Sequence, residues 1–314
     1  MSSARALACP ASLKGVLTAR EAAAALAEGL RTWADDVREL PVADGGEGTL
    51  DVLHATLGGE LHPAQVHDAF GRPRQARWLE LPGGVAAVES AEAISLDPER
   101  LDPFAASSRG LGEVIQAVGN PRELLVCLGG TANVDGGAGL LEVVQELPAF
   151  TRVACDVDVP LVDAARVFSL QKGATAANAG ELERRLTSMP ALAPYADLPG
   201  AGAAGGLGAA LASLGAELHR GAQLVLDAIG FDPSGYDLVV TGEGTVDVTT
   251  MRGKAPGDVV RRCARRGVRC VVFGGLVAEP LRRAETVALS GDPARAREDL
   301  VELGSRLGGL GAAG

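Results

Sequence analysis

The sequence predicts an α/β protein in which both ends of the chain form one parallel-sheet domain and a mixed α/β domain is inserted between them. Short apolar strands alternate with helical patterns at the start of the chain. Between Gly58 and Ser90 short alternating segments with Gly and Pro punctuation predict antiparallel hairpins, and the α/β alternation returns from Ser107. The length of 314 residues fits two domains, which we place at 1–60 with 233–314, and at 61–232.

Local signals support the individual elements. Thr18 and Glu21 form a capping box that predicts the start of an Ala-rich helix, and a Gly-rich loop at 129–137 separates a strand from a helix. The predicted elements are strand 5–9, helix 19–33, strand 37–42, helix 49–57, helix 111–118, strand 123–128, helix 138–145, strand 153–155, a helical region 164–229, strand 237–240, helix 257–266, strand 268–273 and helix 294–307. We find no internal repeat of fixed period.

Composition excludes several classes of function. The net charge of −11 repels nucleic acid and anionic membranes, and only 3% of the residues are aromatic, so stacking platforms for bases are scarce. No apolar run reaches the length of a membrane span. Five cysteines without CxxC spacing predict free thiols, and Met1–Pro10 lacks the apolar core of a secretion signal. We therefore expect a cytoplasmic protein with neither nucleic-acid nor membrane partners.

The scarcity of lysine is informative. Only Lys14, Lys172 and Lys254 are present against 26 arginines, and each lies beside a glycine. Lysine is a compact point charge whereas arginine is a wide planar fork, so a chain this rich in arginine retains lysine mainly where a small ammonium is needed. A phosphate group is one such partner. Chance survival is the alternative for any single lysine.

Two glycine loops share one pattern. Asp44-Gly45-Gly46 and Asp135-Gly136-Gly137 each follow a strand and open a helix. Such loops offer backbone N–H groups and a partial positive charge to an anion, while the aspartate suits a metal ion or a hydroxyl proton. The alternative is an Asp N-cap with a Gly-rich turn.

A third loop has metal-binding chemistry. Thr241-Gly-Glu-Gly-Thr-Val-Asp247 follows an apolar strand, at the edge where open α/β sheets bind ligands. Glu243 and Asp247 can hold Mg²⁺, which takes few protein carboxylates besides phosphate oxygens. A solvated turn is the alternative.

Two further features have competing interpretations. Gly200-Ala-Gly-Ala-Ala-Gly205 matches the dinucleotide fingerprint GxGxxG, but no convincing strand precedes it, so a nicotinamide-dependent oxidoreductase is the weakest hypothesis. Arg109 can bind a substrate carboxylate with its fork, or it is a surface residue. The four histidines lack metal-ligand spacing and are interpreted as structural.

Taken together, these stretches resemble the bacterial glycerate kinase family of the type with an inserted second domain. The likeness extends from about Ala6 to Gly275 and depends on seven ordered segments, not on any one of them. The segments are 41–49, 107–113, 171–174, 199–206, 215–218, 241–244 and 253–254.

The resemblance implies a flavodoxin-like domain interrupted by an α/β insert, and ATP-dependent phosphorylation of D-glycerate with Mg²⁺. Asp44 or Asp135 would accept the hydroxyl proton, Lys14 and Lys172 would contact phosphate oxygens, and the product, 2- or 3-phosphoglycerate, stays open. Ser12, Glu47 and Arg109 are expected to bind the substrate. The expected phosphate-binding residues are Gly129, Gly130, Thr131, Gly136, Gly137 and Lys254, and the expected metal ligands are Glu243 and Asp247. A homodimer is one of the assembly states left open.

The chain also departs from the family pattern. Ala11 replaces an Asp, Val134 replaces an Asn and Thr245 replaces an Arg, while the segment between Leu141 and Arg152 is shortened by some tens of residues. A single lost transition-state interaction lowers a rate on the order of 10²–10³-fold. A catalytically weakened homologue that acts as a ligand-binding protein is therefore the alternative, unless neighbours such as Asn133 substitute for the lost groups.

Overall fold

The computed structural model describes residues 4–308 and confirms the α/β class. Its strands are β1 Arg5–Ala8, β2 Asp36–Glu39, β3 Glu60–His67, β4 Pro73–Leu81, β5 Val85–Glu89, β6 Glu123–Leu128, β7 Thr151–Cys155, β8 Glu217–Arg220, β9 Leu238–Val246, β10 Arg269–Val277 and β11 Glu285–Ala288. Its helices are α1 Ala19–Leu30, α2 Thr49–Leu57, α3 Ser90–Ile94, α4 Arg109–Val118, α5 Ala138–Val143, α6 Leu161–Phe168, α7 Ala179–Thr187, α8 Ala203–Ser213, α9 Gly221–Ala228, α10 Ala255–Arg266 and α11 Ala296–Arg306.

The chain divides into two compact units. The first contains the described residues of Met1–Ala43 and Val225–Gly314, and the second contains Asp44–Leu224. The predicted domain limits, 1–60 with 233–314 and 61–232, differ from these limits at 44–60, which includes α2, and at 225–232. That helix contacts β4 and β5, so it lies with the second unit. The limits of functional domains stay a prediction.

The first unit is an open parallel sheet with the strand order β11-β10-β9-β1-β2. Numbered within the unit, this is the order 2-1-3-4-5 of flavodoxin-like folds. Apolar side chains of α1 and α11 pack on one face and those of α10 belong to a separate cluster with β9 and β10. The order reverses between β1 and β9, so the loops after these strands lie at the switch point where such sheets bind ligands.

The second unit contains a mixed six-stranded sheet with the order β3-β4-β5-β6-β7-β8. The predicted hairpins are present as the antiparallel pairs β3–β4 and β4–β5. The remaining pairs, from β5 to β8, are parallel, so the carboxyl ends of β5, β6 and β7 share one edge of the sheet.

The structure corrects the sequence analysis at three strands. β8 lies within the region 164–229 that was predicted to be helical, and β11 was not predicted at all. Both are edge strands of their sheets. The sequence analysis also ended a strand at residue 240, whereas β9 continues through Val246 and places Glu243 on the strand. Within residues 4–308, no helix has the length and hydrophobicity needed to cross a membrane.

Candidate functional site

A group of polar side chains in the second unit lies where β5, β6 and β7 end. Glu89 ends β5, Gly129 follows β6, and Asp156 follows β7. Because the three strands are parallel neighbours, their sequence-distant ends are brought to one sheet edge. This edge collects the groups that can act on a ligand.

Gly129 is the point at which several of these segments meet. A Cβ placed on Gly129 would lie 2.7 Å from Cα of Gly46 and 3.0 Å from Oδ2 of Asp156. Distances below 3.0 Å are essentially never seen for real Cβ atoms, so only glycine permits this approach of the Asp44–Gly46 loop. The Asp44–Gly46 loop therefore lies against Gly129, and Asp156 lies beside both.

Asp156 has an environment suited to proton transfer. Burial, together with the negative charge of Asp44, raises the pKa of its carboxyl group to about 7, and the positive charge of Lys172 opposes this shift. A carboxyl group with a pKa near neutrality is protonated and deprotonated readily at working pH. Sequence analysis did not assign Asp156 to the site.

Lys172, which was predicted to contact phosphate, is a buried cation of this site. It ends a 3₁₀ turn, Leu170–Lys172, and its side chain is almost fully buried. The ammonium Nζ donates to the backbone carbonyl of Asn133 at 2.8 Å and to the hydroxyl of Thr131 at 3.3 Å. Burial lowers the pKa of Lys172 to about 8, although the charges of Asp156 and Asp135 raise it.

Asp135 organises its loop. Its carboxylate accepts hydrogen bonds from the backbone N–H groups of Ser108, Gly137 and Gly139, from the Ser108 hydroxyl and from the Asn133 amide, over 2.8–3.2 Å. A carboxylate with five donors has little capacity left for a substrate proton. The contacts of Asp135 therefore indicate a structural role in place of the predicted role as a base.

The predicted phosphate cradle is largely occupied by contacts within the protein. The N–H of Gly129 donates to Ser90 Oγ, that of Gly136 to Gly205 O, and that of Gly137 to Asp135. These three N–H groups therefore have acceptors other than phosphate. The phosphate-binding roles of Gly130 and Thr131 stay predictions.

Two predicted substrate ligands lie on the surface of the second unit. Arg109 begins α4, and its guanidinium pairs with Glu113 at 3.0 Å and with Glu142 at 3.4 Å. These carboxylates already use the fork that was predicted to bind a substrate carboxylate. Glu47 is exposed, and its Oε2 would lie 3.5 Å from a Cβ on Gly130, so it lies beside the Gly-rich loop.

The first unit has its own cluster at the switch point. The N–H of Ala11 donates to Gly242 O at 2.9 Å, which links the loop after β1 to β9. Leu13 and Leu17 exchange backbone hydrogen bonds around an exposed turn that contains Lys14. The backbone nitrogen of Lys14 would lie 3.8 Å from a Cβ on Gly244. The loop that contains Ser12 and Lys14 thus adjoins the Gly242–Gly244 segment, and the roles of both residues in ligand binding stay predictions.

Glu243 does not fit the predicted role of a metal ligand. Its Oε1 accepts the Thr250 hydroxyl at 2.7 Å, and its Oε2 accepts the Lys254 ammonium at 2.8 Å. Hydrogen bonds from Thr249 lower the pKa of Asp247 below its usual range. Among the residues that the structure describes, no three His, Cys, Asp or Glu side chains form a group suited to a metal ion. Glu243 therefore positions Lys254, and only Asp247 stays a predicted ligand.

The departures from the family pattern have unequal consequences. Val134 is fully buried in an apolar cluster with side chains of α6, α7 and α8, such as Leu161 and Leu186. Asn133, by contrast, contacts Asp135 and Lys172. Asn133 therefore supplies an amide beside Asp135 and Lys172, while position 134 is part of the apolar core. Ala11 and Thr245 lie in the first unit, half-buried and exposed respectively.

The GxGxxG match has a structural explanation. A 3₁₀ turn, Ala193–Tyr195, precedes it in place of a strand. Ala204, Gly205 and Gly206 adopt left-handed backbone conformations at the start of α8. Ala204 O accepts the Asn133 amide and Gly205 O accepts the Gly136 N–H. The segment braces the Asp135 loop, so the structure supports the interpretation that it is no dinucleotide fingerprint.

The two sheets carry the polar side chains expected of an α/β small-molecule kinase. Lysines and carboxylates lie at the carboxyl edge of the first sheet, and a buried lysine lies among carboxylates at the carboxyl edge of the second sheet. The sequence model of the glycerate kinase family matches residues 6–145 and 145–291. The chain belongs to the glycerate kinase family, as the sequence predicted, and the family implies ATP as the phosphoryl donor.

Individual relatives agree with this assignment. A glycerate 2-kinase of Escherichia coli (strain K12) is 37% identical over 300 residues, which cover 79% of this chain and 78% of that protein. A glycerate kinase of Bacillus subtilis (strain 168) is 34% identical over 321 residues, covering 86% and 84%. A crystal structure assigned to glycerate kinase 2 of Salmonella typhimurium LT2 has a TM-score of 0.82 at 28% identity and covers 98% of both chains.

The family match is interrupted at an informative place. Its two stretches meet at residue 145, within the 141–152 segment that the sequence analysis found to be shortened. In the structure α5 ends at Val143 and β7 begins at Thr151. The connection between α5 and β7 is therefore short, and the predicted shortening relative to the family stays a prediction.

Proposed function

We propose that this protein transfers the γ-phosphoryl group of ATP to a hydroxyl group of D-glycerate. The observation that carries the proposal is the position of buried Asp156 at the carboxyl edge of the second sheet, where the charges of both Asp44 and Lys172 act on it. Phosphoryl transfer needs positioning and charge neutralisation more than covalent chemistry, and this group supplies both.

Asp156 is the proposed general base, in place of Asp135. The glycerate hydroxyl oxygen forms a bond to the γ-phosphorus while the bond from that phosphorus to the bridging oxygen of ADP breaks, and ADP leaves with the electron pair. The hydroxyl proton passes to Asp156. The negative charge of Asp44 keeps the proton affinity of Asp156 high, and the Lys172 ammonium offsets the negative charge of the substrate oxygens.

The first unit supplies the proposed contacts to ATP. Lys14 lies in an exposed turn next to the Gly242–Gly244 segment, and Lys254 is held by Glu243 at the start of α10. Ammonium groups bind phosphate as point charges, and the switch point of an open α/β sheet is the usual place for such a ligand. Ser12 is a further proposed contact in the same loop.

Mg²⁺ is proposed to enter with ATP, held mainly by phosphate oxygens. This accords with its habit of using few protein carboxylates, and with the pairing of Glu243 to Lys254. Chelation with EDTA is expected to abolish turnover, and excess Mg²⁺ is expected to restore it. Unchanged turnover after complete chelation contradicts this part of the proposal.

The direct test is a coupled assay for ADP release with ATP, Mg²⁺ and D-glycerate. We expect turnover that depends on D-glycerate, and its loss in Asp156→Asn. The L-enantiomer is the matched control for substrate recognition. Absence of turnover from a protein with a cooperative melting transition contradicts the kinase function.

The alternative is a ligand-binding protein that has lost catalysis, favoured by Ala11 and Thr245, which remove charged groups from the first unit. It predicts that D-glycerate or ATP raises the melting temperature without any ADP release. The same two measurements therefore separate the alternatives. Turnover with D-glycerate excludes the binding-only protein.

The cellular location and the assembly state of the protein are also proposals. Five free cysteines, four of them buried, suit a reducing compartment such as the cytoplasm, and fractionation of cells expressing the full chain tests this. A homodimer stays a prediction, which sedimentation velocity checks.

A further inference from the structure

Glu89 is a buried carboxylate that caps a helix distant from it in sequence. It is 3% exposed, and its two oxygens accept the N–H groups of Gly48 and Leu50, each at 2.9 Å. Gly48 precedes α2 and has no side chain with which to cap it. The carboxylate of Glu89 therefore replaces the missing N-cap and fixes the first turn of α2.

This turn continues directly into the Asp44 loop. The Thr49 hydroxyl donates to Gly46 O at 2.7 Å, and the Gly46 N–H donates to Asp44 Oδ1 at 3.2 Å. The position of Gly46 and Asp44 thus depends on the turn that Glu89 holds. Three successive contacts connect the carboxylate of Glu89 to that of Asp44.

Ser90, the next residue, holds the other glycine loop. Its side chain is fully buried, and its hydroxyl donates to Gly129 O and accepts from Gly129 N, both at 3.1 Å. Position 129 accepts only glycine, because Gly46 and Asp156 approach it so closely. Two adjacent side chains at the end of β5 therefore hold both loops that flank Asp156.

We propose that Glu89 and Ser90 are positioning residues for phosphoryl transfer, which hold the Asp44 loop and Gly129 in register against Asp156. The inference rests on the proposed function, because it names what keeps the base of that site in place. Neither residue was singled out by the sequence analysis. A displacement of about 1 Å in such a constellation lowers a rate by roughly 10²-fold.

The test compares Ser90→Ala and Glu89→Gln with the native full-length protein. We expect kcat/KM for D-glycerate to fall roughly 10- to 100-fold in each, by analogy with the loss from small misplacements. The KM for ATP is expected to stay unchanged. A general loss of stability alone does not lower kcat/KM for D-glycerate while leaving the KM for ATP unchanged.

Matched controls remove equivalent buried contacts elsewhere. Thr151→Val deletes a buried hydroxyl that donates to Pro148 O at the amino end of β7, away from Asp156. Asp299→Asn removes a buried carboxylate that accepts the N–H of Ser290 in the first unit. Both are expected to lower the melting temperature and to leave kcat/KM for D-glycerate unchanged.

Hydrogen exchange gives a readout that does not need catalysis. The proposal predicts faster amide exchange at 126–131 in Ser90→Ala, because Ser90 holds Gly129. It also predicts faster exchange at 44–50, where the structure shows no hydrogen bond from Ser90, because Gly129 packs against Gly46. Slow exchange at 44–50 in that variant overturns the inference. If the native protein shows no turnover, the proposed function fails and the positioning role fails with it, whereas turnover with slow exchange at 44–50 in Ser90→Ala overturns the positioning role alone.

Ser90→Cys guards against a variant that does not fold, because its thiol is a weaker donor on a side chain of similar shape. Its kcat/KM for D-glycerate is expected to lie between those of the native protein and Ser90→Ala. Native kinetics in Ser90→Cys and Glu89→Gln, with only lowered melting temperatures, overturn the proposal.

Discussion

The backbone carbonyl of Asn133 accepts a hydrogen bond of 2.8 Å from the ammonium of Lys172, and the amide of the same asparagine donates to Asp135. One residue thereby connects the buried cation to the carboxylate that organises its loop. The Oδ1 atom of Asn133 is buried and has no hydrogen-bond partner within residues 4–308. Asn133 is thus constrained through its backbone and its amide nitrogen.

Val134→Asn, which restores the family residue, is expected to destabilise the protein and not to raise its activity. The new amide would be buried among apolar side chains at a cost of about 1–3 kcal/mol. Denaturant unfolding measures this loss, and the ADP-release assay measures turnover. Asn133→Ala is the companion variant, for which we expect lower kcat/KM because Asp135 loses a donor. Higher turnover in Val134→Asn would show that position 134 belongs to the site.

The pH profile of kcat/KM should be bell-shaped, with its maximum between the two shifted groups. Asp156, with a pKa of about 7, must be ionised to accept a proton, so activity rises through pH 7. Lys172, with a pKa of about 8, must be protonated to offset negative charge, so activity falls above pH 8. Asp156→Asn should lower kcat by roughly 10²–10⁴ and remove the acid limb. An acid limb that persists in this variant assigns it to another group.

Glu89 is the control for assigning the acid limb to Asp156, because burial raises the pKa of Glu89 to about 7 as well. Glu89→Gln removes the second candidate while leaving Asp156 in place. Under the proposed mechanism the acid limb survives in Glu89→Gln at reduced rate.

The contribution of the buried groups to the free energy of unfolding should pass through a minimum near pH 7–8. Asp156 and Glu89 have raised pKa values, so their contribution is present below their ordinary values and is lost as the pH rises to about 7. Lys172 has a lowered pKa, so its contribution is present above its ordinary value and is lost as the pH falls to about 8. Each group changes stability by at most about 1.4 kcal/mol per pH unit.

Urea unfolding between pH 5 and pH 9.5 measures this curve. Asp156→Asn is expected to flatten the acid side, and Lys172→Met is expected to flatten the alkaline side. A stability maximum at pH 7–8 that is unaffected by both variants contradicts the linkage.

The fold was predictable where burial leaves a strong pattern. Strand 123–128 and helix 49–57 were predicted with the bounds that the structure shows, since one is continuously apolar and the other follows a glycine break. The missed strands β8 and β11 lie at sheet edges, and neither contains a fully buried residue. An edge strand packs on fewer neighbours, so its sequence carries little of the hydrophobic periodicity that reveals a central strand.

The site was predictable where a residue type is unusual in itself. Lys172 was found because lysine is rare in this chain, and the glycine loops because glycine clusters are costly. Asp156 was missed because an Asp-Val-Asp sequence is ordinary at a strand end. Its role arises only from the approach of Gly129 and Asp44, which is set by strand order and not by local sequence. Glu89 and Ser90 were missed for the same reason.

The left-handed turn at the start of α8 gives a pair of neighbouring substitutions with different expected outcomes. Ala204 has φ of +50°, a conformation that costs an alanine roughly 1–2 kcal/mol, so Ala204→Gly relieves strain. The gain is partly offset by about 0.5–1 kcal/mol of extra chain entropy, and unfolding stability should change little or rise slightly. The side chain of Ala204 makes none of the turn's hydrogen bonds, so kcat/KM should not change.

Gly205→Ala should be severely destabilising, by more than about 2 kcal/mol, and should lower kcat/KM in any protein that still folds. Gly205 has φ of +70°, and an added Cβ would lie 2.2 Å from the carbonyl oxygen of Asn133, the atom that accepts the Lys172 ammonium. The clash therefore moves the acceptor of the buried cation. Denaturant unfolding and the ADP-release assay, run on both variants together, check the contrast. Equal stability of Ala204→Gly and Gly205→Ala would mean that this turn does not brace the Asn133–Gly136 loop.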